Sequence, residues 1–150
     1  MLSSEPIFRI HADLGEIMEL GTTPYGGRRL IPILGGRVEG PKLKGRILPG
    51  GADWQIILAN GVTDIQARYS IETDAGARVI VHSDGMRHGS REVLEAIGRG
   101  EKVDASRYYF RTVMRFETGD PALAWLNKII GLARGEREKL TVKLDIYEVL

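Results

Sequence analysis

Apolar and polar residues alternate along several segments of the chain. Every second residue is apolar from Phe8 to Leu14, and the same alternation returns from Val142 to Ile146. A period of two residues is typical of a β-strand with one buried and one exposed face. The 19 glycines are spread between short apolar segments. Such regularly spaced turn signals favour an all-β sandwich or barrel over a fold of alternating strands and helices.

The segment from Trp54 to Ser83 predicts three antiparallel strands in chain order. We expect strands over Trp54–Ala59, Val62–Thr73 and Arg78–Ser83. Between the first two, Asn60-Gly61 favours a type I′ hairpin turn, in which both central residues need a positive φ. Asp74–Gly76 supplies the second turn.

Further strands are predicted over residues 7–20, 28–34, 43–48, 108–118, 128–134 and 140–149. Pro32 is expected at a sheet edge or a bulge, because proline has no N–H to donate to a neighbouring strand. The charged segment Gly135–Glu138 is expected to form the turn of the last hairpin. Ser90–Arg99 has a capping residue, an apolar stripe and a glycine near its end, and predicts one short helix. Asp120-Pro121 favours a helix start of only a turn or two.

Together these elements predict a mostly β protein with a single domain over residues 1–150. We expect the domain to close into one antiparallel β-barrel of about eight or nine strands with one short helix. The interior of such a barrel is either filled by side chains or wide enough to hold one small ligand.

Composition excludes several classes of site. The chain has no cysteine, so disulfides, zinc–thiolate sites, iron–sulfur clusters and thiol nucleophiles are excluded. The net charge is +1, which leaves no basic excess for nucleic-acid phosphates. The three histidines lack the spacing of a metal site, and we expect no metal and no cofactor. Without a long apolar segment or a signal peptide, we expect a cytoplasmic protein with no membrane partner.

The strand predicted over residues 108–118 has one apolar and one polar face. Tyr109, Arg111 and Glu117 share the polar face. In one interpretation the strand is half-buried and these charged residues lie in solvent, because charged side chains are rarely buried without a partner. In the other, the polar face lines a cavity in which arginine, tyrosine and glutamate act on a ligand.

A second concentration of polar residues lies in the predicted three-stranded segment. Asp53-Trp54 opens its first strand, Asp64 and Arg68 share a face of the second, and Tyr69 lies on the opposite face of that strand. If these strands neighbour the strand of Tyr109 and Arg111, acidic residues and arginines from both would meet.

Several stretches, in the order in which they occur, resemble the UPF0311 proteins, which share the domain of unknown function DUF3237. The stretches are Gly35–Pro41, Leu48–Trp54, Asp64–Tyr69, Tyr108–Arg111, Arg115–Gly119, Trp125–Asn127 and Asp145–Val149. The resemblance implies a compact, lipocalin-like β-barrel that self-associates, so a homo-oligomer, a dimer, is expected. It implies no activity and no catalytic residue. Ala122–Ala124 stands before Trp125 where relatives are expected to carry an aromatic residue, which implies a smaller pocket wall here.

The leading hypothesis is a barrel that binds a small organic acid or carbonyl compound and isomerises, hydrates or hydrolyses it by acid–base chemistry. Arg111 would hold the anionic group, Tyr109 would donate a hydrogen bond or proton, and Asp53 or Glu117 would act as the base. The other ligand-binding residues are expected to be Trp54, Asp64, Arg68, Tyr69 and Trp125. Two alternatives stay open: a non-catalytic carrier of a small apolar ligand in the same cavity, and a structural or interaction protein with a filled barrel.

Overall fold

The computed structural model describes all 150 residues, and more than half of them belong to ten β-strands of one sheet. The strands are β1 (Phe8–Leu14), β2 (Met18–Thr23), β3 (Gly26–Glu39), β4 (Gly45–Ile47), β5 (Gly51–Ile57), β6 (Thr63–Thr73), β7 (Arg78–Gly89), β8 (Tyr108–Glu117), β9 (Gly131–Arg137) and β10 (Thr141–Glu148). One α-helix, α1 (Arg91–Gly98), follows β7, and two 3-10 helices cover Ala105–Arg107 and Pro121–Lys128. None of these helices is long and apolar enough to cross a bilayer.

The sheet closes on itself because β3 pairs with β1 as well as with β4 and β5. The order around the barrel is β1, β10, β9, β8, β7, β6, then β4 and β5 together, then β3. β4 and β5 both lie between β3 and β6 and pair with different segments of these two strands. They therefore occupy one position together, and the barrel has eight strand positions. β2 pairs only with β3, beyond the end of β1. Every pairing is antiparallel, which confirms the predicted barrel.

Pro32 lies inside the long strand β3, two residues from the point where its pairing with β1 shifts register, between the pair Asp13 and Gly35 and the pair Leu14 and Ile33. Of the two predicted positions, a sheet edge or a bulge, the structure agrees with the bulge. Pro32 pairs with Ala52 of β5 on one side. On its other side, β1 has already ended at Leu14, and only the backbone N–H of Gly15 donates to the Pro32 carbonyl, at 2.8 Å. The missing N–H of proline therefore faces a break between two strands, where no ladder hydrogen bond is required.

The hairpin predicted at Asn60-Gly61 is present, but its turn type is not the predicted one. Gly61 has a φ of 85°, whereas no residue other than glycine has a positive φ. The backbone N–H of Leu58 donates to the Val62 carbonyl at 2.9 Å. The loop therefore has three residues and uses the left-handed conformation once, at the glycine. The predicted helix is confirmed, with the Ser90 hydroxyl accepting a hydrogen bond from the backbone N–H of Val93.

The two ends of the barrel are filled differently. The end next to the 3-10 helix Pro121–Lys128 is packed with fully buried apolar side chains, namely Phe8, Ile71, Val79, Met114, Leu126 and Ile146. At the opposite end β5, β7 and β9 finish, β3, β6, β8 and β10 begin, and α1 lies beside the opening. We call this end the mouth. It carries the polar residues of the interior, so any ligand site inside the barrel opens there.

Candidate functional site

The register of β8 overturns the first predicted set of site residues. Tyr108, Phe110, Thr112, Met114 and Phe116 point into the barrel and are buried. Tyr109, Arg111 and Glu117 alternate with them and lie exposed on the outer surface. The placement of these three residues in a cavity is therefore wrong. The physical reason is that turning the polar face inward would expose the large apolar face to water.

The strands β5 and β6 place most of the second predicted set outside as well. The Trp54 side chain is 48% exposed. Arg68 forms a bidentate ion pair with Asp84 of the neighbouring strand, with its Nη1 2.7 Å from Oδ1, and Asp64 accepts a hydrogen bond from the exposed Gln66 side chain. Charged side chains on this face find partners along the outer surface, so the predicted meeting of these residues inside the barrel is wrong.

Trp125 lies far from the mouth, at the packed end of the barrel. It is half-buried, and the Lys42 ammonium group lies 5.3 Å from its ring. Of the nine predicted site residues, only Asp53 and Tyr69 point into the barrel interior toward the mouth.

Three arginines at the mouth are candidate site residues that the sequence analysis did not identify. Arg29 lies near the start of β3, Arg87 near the end of β7, and Arg137 is the last residue of β9. The side chains of all three point to the inside of the barrel at the mouth. Arg137 was predicted to lie in a turn, but β9 extends three residues further than expected and carries it into the barrel wall. The sequence did contain a signal. Each arginine is an even number of residues away from the nearest buried apolar residues of its strand, so its side chain lies on the same face of the sheet.

A chain of hydrogen bonds joins Arg29 to Asp53 through Gln55, which is 1% exposed. Arg29 Nε donates to Gln55 Oε1 at 2.7 Å, and Gln55 Nε2 donates to Asp53 Oδ2 at 2.7 Å. The backbone N–H of Gln66 donates to the other carboxylate oxygen, at 3.0 Å. Burial nevertheless raises the pKa of Asp53 above its ordinary value, because the loss of water outweighs these hydrogen bonds and the nearby arginines.

Arg87 is buried without a carboxylate partner. It is 6% exposed, and no protein atom accepts a hydrogen bond from its Nε. Its guanidinium carbon lies 5.9 Å from the centre of the Phe110 ring. Burial lowers the pKa of Arg87 to about 10, and repulsion from Arg137 and Arg29 adds to that effect. A buried cation with no counter-charge is costly unless something else supplies the charge.

Arg137 lies two strands from Arg87, and its guanidinium donates hydrogen bonds only to backbone carbonyls. Its Nε donates to the Glu138 carbonyl at 2.8 Å, and its backbone N–H donates to the Tyr108 hydroxyl at 2.9 Å. Burial lowers the pKa of Arg137 to about 10, with repulsion from Arg29 as a further cause. The mouth thus has three buried or half-buried arginines and one buried carboxylate beside them. The exposed Glu16 and Lys139 add one charge of each sign, so the net charge of the mouth is positive.

Arg137 lines two separate spaces at this end of the barrel. The larger, which we call the mouth cleft, has a volume of about 490 Å³. It is lined by the three arginines, by Glu16, Thr63 and Lys139, and by glycines and apolar residues of α1 and the adjoining loops. The smaller, the inner cavity, has about 40 Å³ and lies deeper, beside Asp53 and Tyr69. A cleft of several hundred Å³ is the size at which proteins bind small organic molecules.

The inner cavity has a mostly apolar wall with a few polar groups. Ser83 Oγ donates to Thr112 Oγ1 at 2.9 Å across two strands. No protein atom pairs with the Tyr69 hydroxyl, and burial together with the Asp53 carboxylate raises the pKa of Tyr69. The chain has no group of three or more histidine, aspartate or glutamate side chains that could hold a metal ion. The chemistry of the mouth is therefore that of arginine, aspartate and tyrosine.

Comparison with known proteins was consistent across sequence and structure. Residues 2–149 match the family model described as "Protein of unknown function (DUF3237)". A UPF0311 protein of Rhodopseudomonas palustris is 42% identical over 149 residues, covering 99% of this chain and 97% of the relative. The crystal structure of a conserved protein of unknown function from the same species has a TM-score of 0.93, with 42% identity and coverage of 100% of this chain and 98% of that one.

Two further solved structures share the fold. A β-barrel-like protein from Acinetobacter baumannii has a TM-score of 0.85 and 43% identity, covering 99% of this chain and 96% of that one. An enzyme from Penicillium herquei has a TM-score of 0.64 at 19% identity, with 96% of each chain covered. At that identity the likeness concerns the fold alone.

Proposed function

Because the chain belongs to the DUF3237 family, whose description assigns no function, we propose a function from the geometry of its own site. The protein binds a small organic anion with a partly apolar body in the mouth cleft. The observation that carries this proposal is Arg87, a buried guanidinium with no carboxylate partner in the protein. A bound carboxylate or enolate would supply the missing counter-charge and accept its hydrogen bonds.

The shape of the mouth cleft supports a ligand that is charged at one end only. The arginines form its inner wall, whereas Ile17, Ile57, Leu94, Ile97 and Leu140 surround its outer part. An apolar body would bury its surface against these residues while the anionic group reaches the guanidinium groups. The packed end of the barrel leaves no comparable space, so the ligand lies at the mouth and not along the whole axis.

Asp53 supports acid–base chemistry on the bound anion. Its carboxylate lies behind the arginines, and burial raises its pKa above its ordinary value, which is the direction that makes a carboxylate a better proton acceptor. In this role Asp53 removes a proton from the ligand, while Arg87 and Arg137 stabilise the negative charge that the ligand then carries. The predicted anion-binding role of Arg111 passes to Arg87, and of the two predicted bases, Asp53 and Glu117, Asp53 keeps that role. Recovery of a ligand unchanged after long incubation would favour the carrier alternative instead.

Binding of benzoate, measured by isothermal titration calorimetry, tests the proposal, with benzamide as its neutral isostere. We expect benzoate to bind and benzamide to bind much more weakly. Arg87→Met should weaken benzoate binding by about tenfold or more, because the carboxylate of the bound benzoate loses its charged partner. The matched control Arg111→Met removes an exposed arginine from the outer surface and should leave binding unchanged. Equal binding of benzoate by the two variants would contradict the proposal.

A further inference from the structure

The inner cavity has a volume of about 40 Å³ and lies between the arginines of the mouth and the packed end of the barrel. A single water molecule needs a space of roughly 10–15 Å³ and two to four polar partners. The inner cavity meets the first condition. Its volume is also too small for the body of an organic ligand, so its occupant is one or a few water molecules or a small end group of a ligand.

The polar groups that line the inner cavity set the chemistry of that occupant. Tyr69 is 6% exposed, and its hydroxyl has no partner among the protein atoms. Asp53 contributes a carboxylate to the same small space. The tyrosine hydroxyl donates and an ionised carboxylate accepts, so the group between them must both accept and donate a hydrogen bond. A hydroxylic oxygen does both, whereas a methyl group does neither.

Local packing holds the two residues in place. A Cβ on Gly51 would lie 2.5 Å from the Tyr69 Cβ, so only glycine allows β5 to lie this close to the Tyr69 side chain. Asp53, two residues further along β5, is fixed by Gln55 and by the backbone N–H of Gln66. Both polar groups are therefore presented to the inner cavity by rigid strands and not by loops.

We propose that the centre of the barrel is a binding site for a single hydroxylic oxygen, held between the Tyr69 hydroxyl and the Asp53 carboxylate. Its source is either one water molecule or a hydroxyl group at the inner end of the ligand. This inference rests on the proposed function only where the oxygen belongs to the ligand; a bound water molecule does not depend on it. In both cases the site places an O–H beside Asp53, which makes that proton the one that the carboxylate exchanges.

Crystal structures of the ligand-free wild type and of Tyr69→Phe test the site without any added ligand. We expect electron density for one oxygen within hydrogen-bond distance of Tyr69 and Asp53 in the wild type. That density should be lost in Tyr69→Phe, which keeps the ring and removes one polar partner.

Calorimetry with benzoate and 2-hydroxybenzoate, whose hydroxyl lies beside the carboxylate at the inner end of the ligand, separates the two sources. If the oxygen is the ligand's, 2-hydroxybenzoate should bind about tenfold more tightly than benzoate, and Tyr69→Phe should abolish the preference. If it is water, the two probes should bind alike and the density should persist with benzoate bound. An inner cavity without density in the ligand-free wild type, together with equal affinities of the two probes, would overturn the proposal. Failure of both probes to bind would contradict the proposed function, and the ligand-free crystal structures would still decide this site.

Discussion

Arg87 and Arg137 enter the same end of the barrel from strands that flank β8, and no carboxylate oxygen lies within 4.0 Å of either guanidinium. Several arginines on the outer surface do find such partners, since Arg9, Arg46 and Arg68 each pair with an acidic residue. The two inner arginines also repel one another, which contributes to the lowered pKa of Arg87. Such an arrangement lowers the stability of the ligand-free protein and favours an anion at the mouth.

Replacing Arg87 by methionine should stabilise the ligand-free protein. Methionine fills a similar volume and removes a buried charge that forms no ion pair and that the Asp53 carboxylate offsets only in part, so the free energy of unfolding should rise by about 1 kcal/mol or more. Urea denaturation near neutral pH measures the change.

Arg111→Met serves as the control and should change stability by less than about 0.5 kcal/mol, because Arg111 is exposed. A marked loss of stability in Arg87→Met would mean that Arg87 holds the fold together and would remove the main reason for assigning it to a ligand.

The raised pKa of Asp53 predicts a pH dependence of stability. Between the ordinary pKa of aspartate and its raised value in the folded protein, the folded state retains a proton that the unfolded state has lost. Stability contributed by Asp53 is therefore fully present at low pH and is lost as the pH rises through this window. Asp53→Asn should remove this loss, so the variant should gain stability relative to the wild type as the pH rises from acid to neutral.

Denaturation curves at several pH values measure this difference. Glu117→Gln removes an exposed carboxylate and should show no such gain. A difference between Asp53→Asn and the wild type that is constant with pH would show that Asp53 keeps its ordinary pKa.

Gln55 is predicted to be a positioning residue for both charges that it touches. Gln55→Leu leaves Arg29 and Asp53 without their shared partner in a buried setting, which should cost about 2–4 kcal/mol of stability. Gln66→Leu is the matched control, because the Gln66 side chain is exposed and its backbone N–H still binds Asp53. Chemical denaturation of both variants tests this, and similar small losses in the two would contradict it.

Gly135 is predicted to be required for the packing of Phe110 behind the mouth. A Cβ at residue 135 would lie 2.6 Å from the Phe110 ring, so Gly135→Ala should force the ring aside and cost about 1–3 kcal/mol. Gly119→Ala has open space around the new methyl group and should change the melting temperature little. Thermal unfolding followed by circular dichroism compares the two, and equal melting temperatures would show that Phe110 can move freely.

The sequence predicted the barrel well because strand alternation and turn glycines are local signals. For β8 two interpretations were open, and the one that placed Tyr109 and Arg111 in solvent is confirmed, because burial of Phe110 and Met114 decided which face points inward. The predicted site rested on the other interpretation, which assigned Tyr109 and Arg111 inward for their chemistry and is wrong.

The buried arginines were missed for a second reason. The strand predicted over Arg78–Ser83 ended before Arg87, which β7 includes, so the parity of Arg87 with Val79 and Val81 was not weighed as evidence. The convergence of Arg29, Arg87 and Arg137 depends on barrel closure between β1 and β3. That pairing is a long-range contact that no local pattern specifies.

A crystal structure of the protein soaked with 4-bromobenzoate tests the central claim most directly, since the anomalous signal of bromine locates the ligand independently of its fit to density. We predict a bromine peak among the apolar residues of the mouth cleft, with the carboxylate in hydrogen-bond contact with Arg87. A bromine peak only on the outer surface beside Arg111, or a mouth cleft without ligand at saturating concentration, would contradict the account.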